Sequence, residues 1–422
     1  MRRSNPGLDP VAALSAWSDT TATHTDPWTH YACKLVTPLY GGGVREAKVD
    51  TGMPIRAAGI RGQLRFWWRI ACCAPDEPSQ SMFQREAAIW GGIASTGPTA
   101  SQVAVRVERV SGVKVEPAFV YQANRNRPGE LRTMPEAADW VEPYALFPAR
   151  GELTQDKRDV AVTPHRLALA GVGFQLGIKF GPKLSQAQRE EVATALRWWA
   201  SFGGVGARTR RGLGAVRVDG LDPVTAEEVR AKGGQLRLRP ATKAADAAWK
   251  ASLARLRDFR QAVNVGRNPP SDEPNRPGRS RWPEPDTIRL LTGHHAHGHA
   301  PTHPVTNAYP RAAFGLPIVF HFKDENKGEP PQQLLVPEGG DRMASPLILR
   351  PYWSGQAWHP AVLCLPGWAA RLSTPVGFGN GPFHCAWPTD PAERARLAAQ
   401  IKPMDGRGDD PLTAFMDYFE QD

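Results

Sequence analysis

SFGGVGARTRRGLGAV, residues 201–216, places five glycines and three arginines in sixteen positions. A P-loop would follow its last glycine with Lys-Ser or Lys-Thr, but Leu213 and Gly214 stand there. A dinucleotide fingerprint follows a strand and opens a helix. Here the order is reversed. Upstream, LSQAQREEVATALRWWASF reads as a helix, opened by a capping box of Ser185 and Gln188, with Val192, Leu196 and Trp199 as its buried stripe. Downstream, GAVRV (214–218) returns to a strand. Glycines at such a junction permit left-handed backbone angles and let another chain approach closely. Successive exposed N–H groups can form a nest for an anion, and Arg208, Arg210 and Arg211 add charge and planar hydrogen-bonding forks. A helix C-cap needs one glycine, so five point beyond a turn.

The flanking segments are legible by periodicity. YACKLVTPLY (31–40) reads as a strand with Cys33, Leu35 and Thr37 on one face, ended by Gly41–Gly43. In PIRAAGIRGQLRFWWRIACC, Ile60, Leu64, Trp67 and Ala71 form one apolar stripe of a helix. Arg61, Arg65 and Arg69 recur every fourth residue beside it, a basic ridge with no acid within the helix. Paired tryptophans, Trp67-Trp68 and Trp198-Trp199, are expected in core packing or at an interface. QVAVRVERV (102–110) and GVGFQLGIKF (171–180) alternate as strands, the first with Val103, Val105 and Val107 inward.

Composition narrows the function classes. There are 52 Lys+Arg against 42 Asp+Glu, a net charge of +10, which favours an acidic partner. Residues 40–70 carry Arg45, Lys48, Arg56, Arg61, Arg65 and Arg69 against Glu46 and Asp50, whereas the tail after 388 is net acidic. The five cysteines, Cys33, Cys72, Cys73, Cys364 and Cys385, include no CxxC spacing. That argues against a disulfide framework or zinc ribbon and for a reducing cytoplasm. The N-terminus lacks the apolar stretch of a signal peptide, and no run approaches a membrane span, so no membrane partner is expected.

Beyond 221 the character changes. AADAAWKASLARLRDFRQAV (244–263) reads as a helix, and GRNPPSDEPNRPGRSRWPEPD (266–286) as a long irregular loop. Strand-like LPIVFHF (316–322) and SPLILRPYW (345–353), a glycine-rich turn GFGNGPF (377–383) and a final helix DPLTAFMDYFE follow. The organisation expected is a leader over 1–27, a first module over 28–220, a connecting helix and Arg/Pro-rich loop over 221–286, and a second module over 287–422.

KLVTPLYGGG, PIRAAGIRGQLRFWWR, IWGG (90–93), LFPA (146–149), the loop GGVGARTRRGLGAV, FRQAVNVGRNP with GRSRWPEPDTIR, and FGLPIVF with RMASPLILRP occur in this order. Together they resemble the RAMP superfamily, and within it subunit 1 of the Cmr module, the type III-B CRISPR effector. The resemblance runs from about residue 30 to 355. It implies an α+β fold of two ferredoxin-like (RRM-related) modules, antiparallel sheets with helices on one face. It implies a non-catalytic RNA-binding subunit of a ribonucleoprotein, needing no cofactor, near the 3′ part of the guide. Its partners would be guide RNA, target RNA and other RAMP subunits. The family's glycine-rich loop maps onto Gly203, Gly204, Gly206, Arg208, Arg210, Arg211, Gly212 and Gly214. Arg56, Arg61, Arg65 and Arg69 match the basic helix of its first motif. With Arg45 and Lys48 beside that helix, and Arg267, Arg279 and Arg281 of the GRNP…GRSRW loop, these are the candidate RNA-binding residues. The second glycine cluster, GFGNGPF, has no arginine and receives no such role.

Three features invite a catalytic reading. GHHAHGHAPTH places His294, His295, His297, His299 and His303 within eleven residues, with no adjacent carboxylate to orient a ring. A surface loop is the expectation. Because some RAMP relatives process guide RNA with a histidine, an endoribonuclease using His295 or His297 is the alternative function. EGGDRM (338–343) has one acid where two-metal chemistry needs two, and RGDD (407–410) reads as an acidic loop. No catalytic or metal-binding residue is assigned. A scaffold that binds only neighbouring subunits is a third reading.

Overall fold

The computed structural model describes residues 27–421 except 46, 95–96, 271–277, 324 and 380. The expected leader, apart from Pro27, lies outside the described residues. The first unit runs β1 (Thr29–Leu35), α1 (Ala57–Cys72), α2 (Ser79–Trp90), β2 (Val103–Ser111), β3 (Gly173–Phe180), α3 (Gln186–Phe202) and β4 (Val216–Val218). Its sheet has the order β4-β1-β3-β2, and every pairing is antiparallel. With α1 packed on α3, this is the βαββαβ ferredoxin-like arrangement.

Local chemistry explains the elements. Ile60, Leu64, Trp67, Trp68 and Ala71 of α1 are buried, as are Val192, Leu196, Trp198 and Trp199 of α3. The two helices meet through Trp67, Trp198 and Phe202, with ring centroids 5.6–6.2 Å apart. Both tryptophan pairs are therefore core. The capping box of Ser185 and Gln188 forms in both directions. Cys33, Leu35 and Thr37 are buried on one side of the chain leaving β1, as the alternation predicts.

A second unit begins well before residue 287. β5 (Gln235–Leu238) pairs with β7 (Trp358–Cys364), which pairs with β6 (Leu347–Trp353). The helix expected as a connector, α4 (Ala245–Gln261), packs on β6 and β7. Trp249, Leu253, Leu256 and Phe259 on its inner face are buried, which commits it to this sheet. A terminal helix, α6 (Pro411–Glu420), capped by Asp410, packs against α4, β5 and β7. The unit repeats the first five elements of the ferredoxin-like order, and among the described residues its sheet has three strands. Between α4 and β6 lie α5 (Glu284–Thr292) and strands 318–320 and 333–337, which with strands 375–378 and 384–385 from beyond β7 form a small antiparallel sheet in that order. The fold is α+β with antiparallel sheets.

The two units share a core. Ile348, Tyr352, Ala361 and Leu363 of the second join the cluster built on α1, α3 and the first sheet. Phe202 stacks on Tyr352 at 6.0 Å. All five cysteines are free, and no described helix is long and apolar enough to cross a membrane.

Candidate nucleic-acid interface

The glycine–arginine loop sits where the two units meet. All five of its glycines serve the chain's own packing, and a Cβ on Gly206 would lie 2.4 Å from the Leu39 side chain and 2.7 Å from the Tyr40 carbonyl. A Cβ on Gly203 would lie 2.3 Å from Trp199, one on Gly204 2.7 Å from the Gly214 carbonyl, and one on Gly214 1.9 Å from the Val205 carbonyl. A Cβ on Gly212, which has φ +74°, would lie 2.6 Å from the Leu349 carbonyl in β6. Close approach is thus the reason for the glycines, but the approaching backbone is mostly this chain's. Only Gly206 is exposed.

Hydrogen bonds fix the loop from three sides. Thr37 donates from Oγ1 to the Gly212 carbonyl (2.6 Å) and accepts from the Ala215 N–H (2.8 Å). Ala207 N–H bonds the Tyr40 carbonyl at 2.8 Å, and Trp249 of α4 donates its indole N–H to the Arg211 carbonyl at 2.7 Å. From β6, Arg350 donates to the carbonyls of Gly203 and Val216, which flank the loop, and to that of Pro351. This guanidinium is 2% exposed, and burial pushes its pKa down to about 9.

So anchored, the loop bends at Arg208, which has a left-handed φ of +59° and, like Arg210 and Arg211, is half-buried. Arg208, Arg210 and Arg211 form no ion pair with any described residue. Burial lowers the pKa of all three, Arg211 to about 10. Neighbouring cations deepen the effect: Arg371 on Arg210, and Arg260, Arg208 and Arg210 on Arg211. Arg260, from the end of α4, donates to the Tyr144 hydroxyl at 3.1 Å. Nε of Arg208 and Nη1 of Arg211 are buried without a hydrogen-bond partner. Five guanidinium groups thus act on one another here, and among the described residues no carboxylate pairs with any of them, a field that favours an anion.

Next to them a groove of about 400 Å³ is lined by Gly41–Gly43, Arg45, Ile55, Arg56, Gly59, Gln63 and Val205–Ala207. It contains the start of α1, whose first turn has no acidic residue and whose N-cap Arg56 gives no side-chain cap. Those free N–H groups face a favourable site for negative charge. A Cβ on Gly59 would meet nothing within 4 Å, so the backbone there is open to close approach. Arg56 pairs with Asp50 at 3.0 Å, and Arg45 and Lys48 are exposed in the loop after β1.

Other expected residues are elsewhere engaged. The ridge on α1 has its acid after all, supplied by α2: Glu86, 2% exposed, accepts from Arg65 at 2.6 Å and from Arg69 at 2.7 and 2.8 Å. Arg61 donates to the Trp90 carbonyl. Arg267 donates to the Gly278 carbonyl, Arg279 pairs with Asp286 and binds two loop carbonyls, and Arg281 binds Asn268 and the Asn264 carbonyl. These six arginines brace helices and loops, and the structure does not gather them with the glycine loop. In the histidine tract, His299 bonds the buried carboxylate of Glu329, which Arg289 also holds, and Nδ1 of His303 accepts from the Val305 N–H. Among the described residues no three His, Cys, Asp or Glu side chains are grouped to hold a metal ion.

Sequence reasoning missed Arg260, Arg350, Arg371 and Tyr144. Arg350 lies inside the quoted RMASPLILRP and Arg260 inside FRQAVNVGRNP, but only folding brings them to residues 203–216.

Residues 32–217 match the family model of the RAMP superfamily. No curated protein matches the chain. Among solved structures, Cmr1 from Pyrococcus furiosus in its apo form is 14% identical, with a TM-score of 0.41 over 86% of this chain and 90% of that one. A chain of the type III-B Cmr-beta complex bound to cognate target RNA is 11% identical, with a TM-score of 0.41 over 89% of this chain and 98% of that one.

Proposed function

We propose that this protein is a non-catalytic RNA-binding subunit of a type III-B CRISPR ribonucleoprotein, gripping guide or target RNA near the guide 3′ end. One observation carries the reading: Arg208, Arg210 and Arg211 of an anchored glycine loop lie within electrostatic reach of Arg260 and Arg371, and none of the five pairs with a carboxylate among the described residues. Phosphate oxygens are the acceptors that such guanidinium forks suit. The adjoining groove, with its bare α1 N-terminus, offers backbone N–H groups along the same face. The RAMP match over 32–217 and the ordered motifs from 30 to 355 support the assembly context. The other RAMP subunits of the complex are the protein partners.

Replacing Arg208, Arg210 and Arg211 together with Ala should weaken single-stranded RNA binding and flatten its salt dependence. Losing three phosphate contacts lowers the slope of log affinity against log salt by about 2. Filter binding at several salt concentrations measures both, and an unchanged slope would remove the loop from the interface. Incubation with labelled repeat RNA tests the enzymatic alternative: site-specific cleavage lost in His295→Ala or His297→Ala would displace the non-catalytic reading.

A further inference from the structure

We infer that Phe147 is a stacking platform for one unpaired base of the bound strand, held ready by Arg208. The inference rests on the reading of the glycine–arginine loop as an RNA site, and adds recognition of the base to recognition of the phosphate.

Among the described Phe, Tyr and Trp side chains only Phe147 and Phe383 are exposed, and Phe147, at 57%, is the more exposed of the two. Its exposure is not that of a loose segment. Ala145, Leu146 and Ala149 around it are fully buried, and the short helix Pro143–Leu146 before it is capped by the Glu142 carboxylate on the Tyr144 N–H. A turn anchored on three sides therefore presents a bare ring, at a cost in exposed apolar surface that packing could have avoided. The Arg208 guanidinium lies 5.3 Å from the centre of that ring. Arg208 reaches it from a left-handed backbone position that a non-glycine residue seldom adopts. Its Nε remains without a partner.

Stacking explains this arrangement. A planar base on the ring covers the exposed apolar face, and every base has such a face, so the contact tolerates any sequence. The guanidinium over the ring reinforces the pair by cation–π attraction. Arg208, Arg210 and Arg211 stand next to the platform to take the phosphates flanking the stacked nucleotide. Among the described residues no arginine lies over the Phe383 ring.

The test uses the full chain and two labelled probes of equal charge: a uridine decamer, and an abasic ribose-phosphate decamer that keeps every phosphate. Wild-type protein should prefer the uridine decamer, and Phe147→Ala should reduce that preference roughly tenfold, the scale of one base stacked on an aromatic ring. Phe147→Trp should restore it, and Phe147→Leu should not. The salt slope should be the same in all variants, because no phosphate contact is removed. A Phe147→Ala protein that keeps the full preference, or a Leu variant that restores it, overturns the platform and leaves the arginine site standing. No binding of either decamer overturns both, and that result is separable because it also appears with wild-type protein. Phe147 is mostly solvent-exposed, so an unchanged melting temperature serves as the folding control.

Discussion

Arg211 holds a charge where its surroundings oppose it. Burial and three neighbouring guanidinium groups lower its pKa to about 10, and Nη1 has no acceptor. A group that is disfavoured in the free protein and suited to an arriving anion trades stability for binding. Arg211→Met keeps much of the stem and removes the charge. The RNA-free variant is expected to melt about 1–4 °C higher than wild type, an increment of order 1 kcal/mol in a protein this size. Its RNA affinity is expected to fall roughly tenfold, the scale of one charge-assisted hydrogen bond. Calorimetry with a parallel binding titration checks both, and a lower melting temperature would make Arg211 a structural residue. At this scale the sequence was informative about residue type: three arginines among five glycines are visible without a structure. That Arg260 and Arg371 join them was not visible, because 49 and 160 positions of chain separate them from Arg211 and only tertiary folding closes those gaps.

At the scale of elements, periodicity located α1 and α3 and their buried faces, since the 3.6-residue stripe is a local signal. The role of the ridge on α1 was not local. Its counter-charge, Glu86, sits on the next helix, and no spacing rule links positions 65 and 69 to 86. The same limit hid the allegiance of α4, whose apolar face is plain in the sequence while the sheet it covers is completed more than 80 residues later. Burial alone would raise the Glu86 carboxyl, but the hydrogen bonds from Arg69 and Arg65 outweigh it and hold the group below the ordinary 4.5. Its folded value being the lower one, the stabilisation is fully present above pH 4.5 and is lost as pH falls through the folded value. Glu86→Gln is expected to cost about 1–3 kcal/mol at pH 7, discounted because both arginines can turn to water. The difference from wild type should shrink steadily below pH 4, and denaturation midpoints at pH 7, 4 and 3 follow it. A gap that stays constant with pH would mean the carboxylate charge contributes nothing.

On the scale of the whole molecule, the proposed RNA site belongs to neither unit alone. The loop is encoded in the first, yet β6 supplies Arg350 to both its flanks and α4 supplies Trp249 to its middle. Stacking of Phe202 on Tyr352 welds the same junction. A buried guanidinium without a carboxylate is costly, and replacing it with an apolar side chain of similar length relieves that cost while leaving the carbonyls of Gly203 and Val216 without their donor. These opposing terms make global stability a poor reporter of what Arg350 does. Local order is the better one. Arg350→Met is expected to melt close to wild type but to exchange its amide hydrogens faster across residues 203–216, because openings of the loop no longer break the bonds that tied it to the second sheet. RNA affinity should fall several-fold with the salt slope reduced, since phosphate ligands on a loosened loop must be ordered on binding. Hydrogen exchange followed by peptide mass analysis, with 186–200 of α3 as the internal standard, reads the first effect and filter binding the second. If 203–216 stays as protected as in wild type while affinity drops, Arg350 acts by some route other than positioning the loop. If neither changes, the second unit contributes nothing to the site and the loop is sufficient by itself.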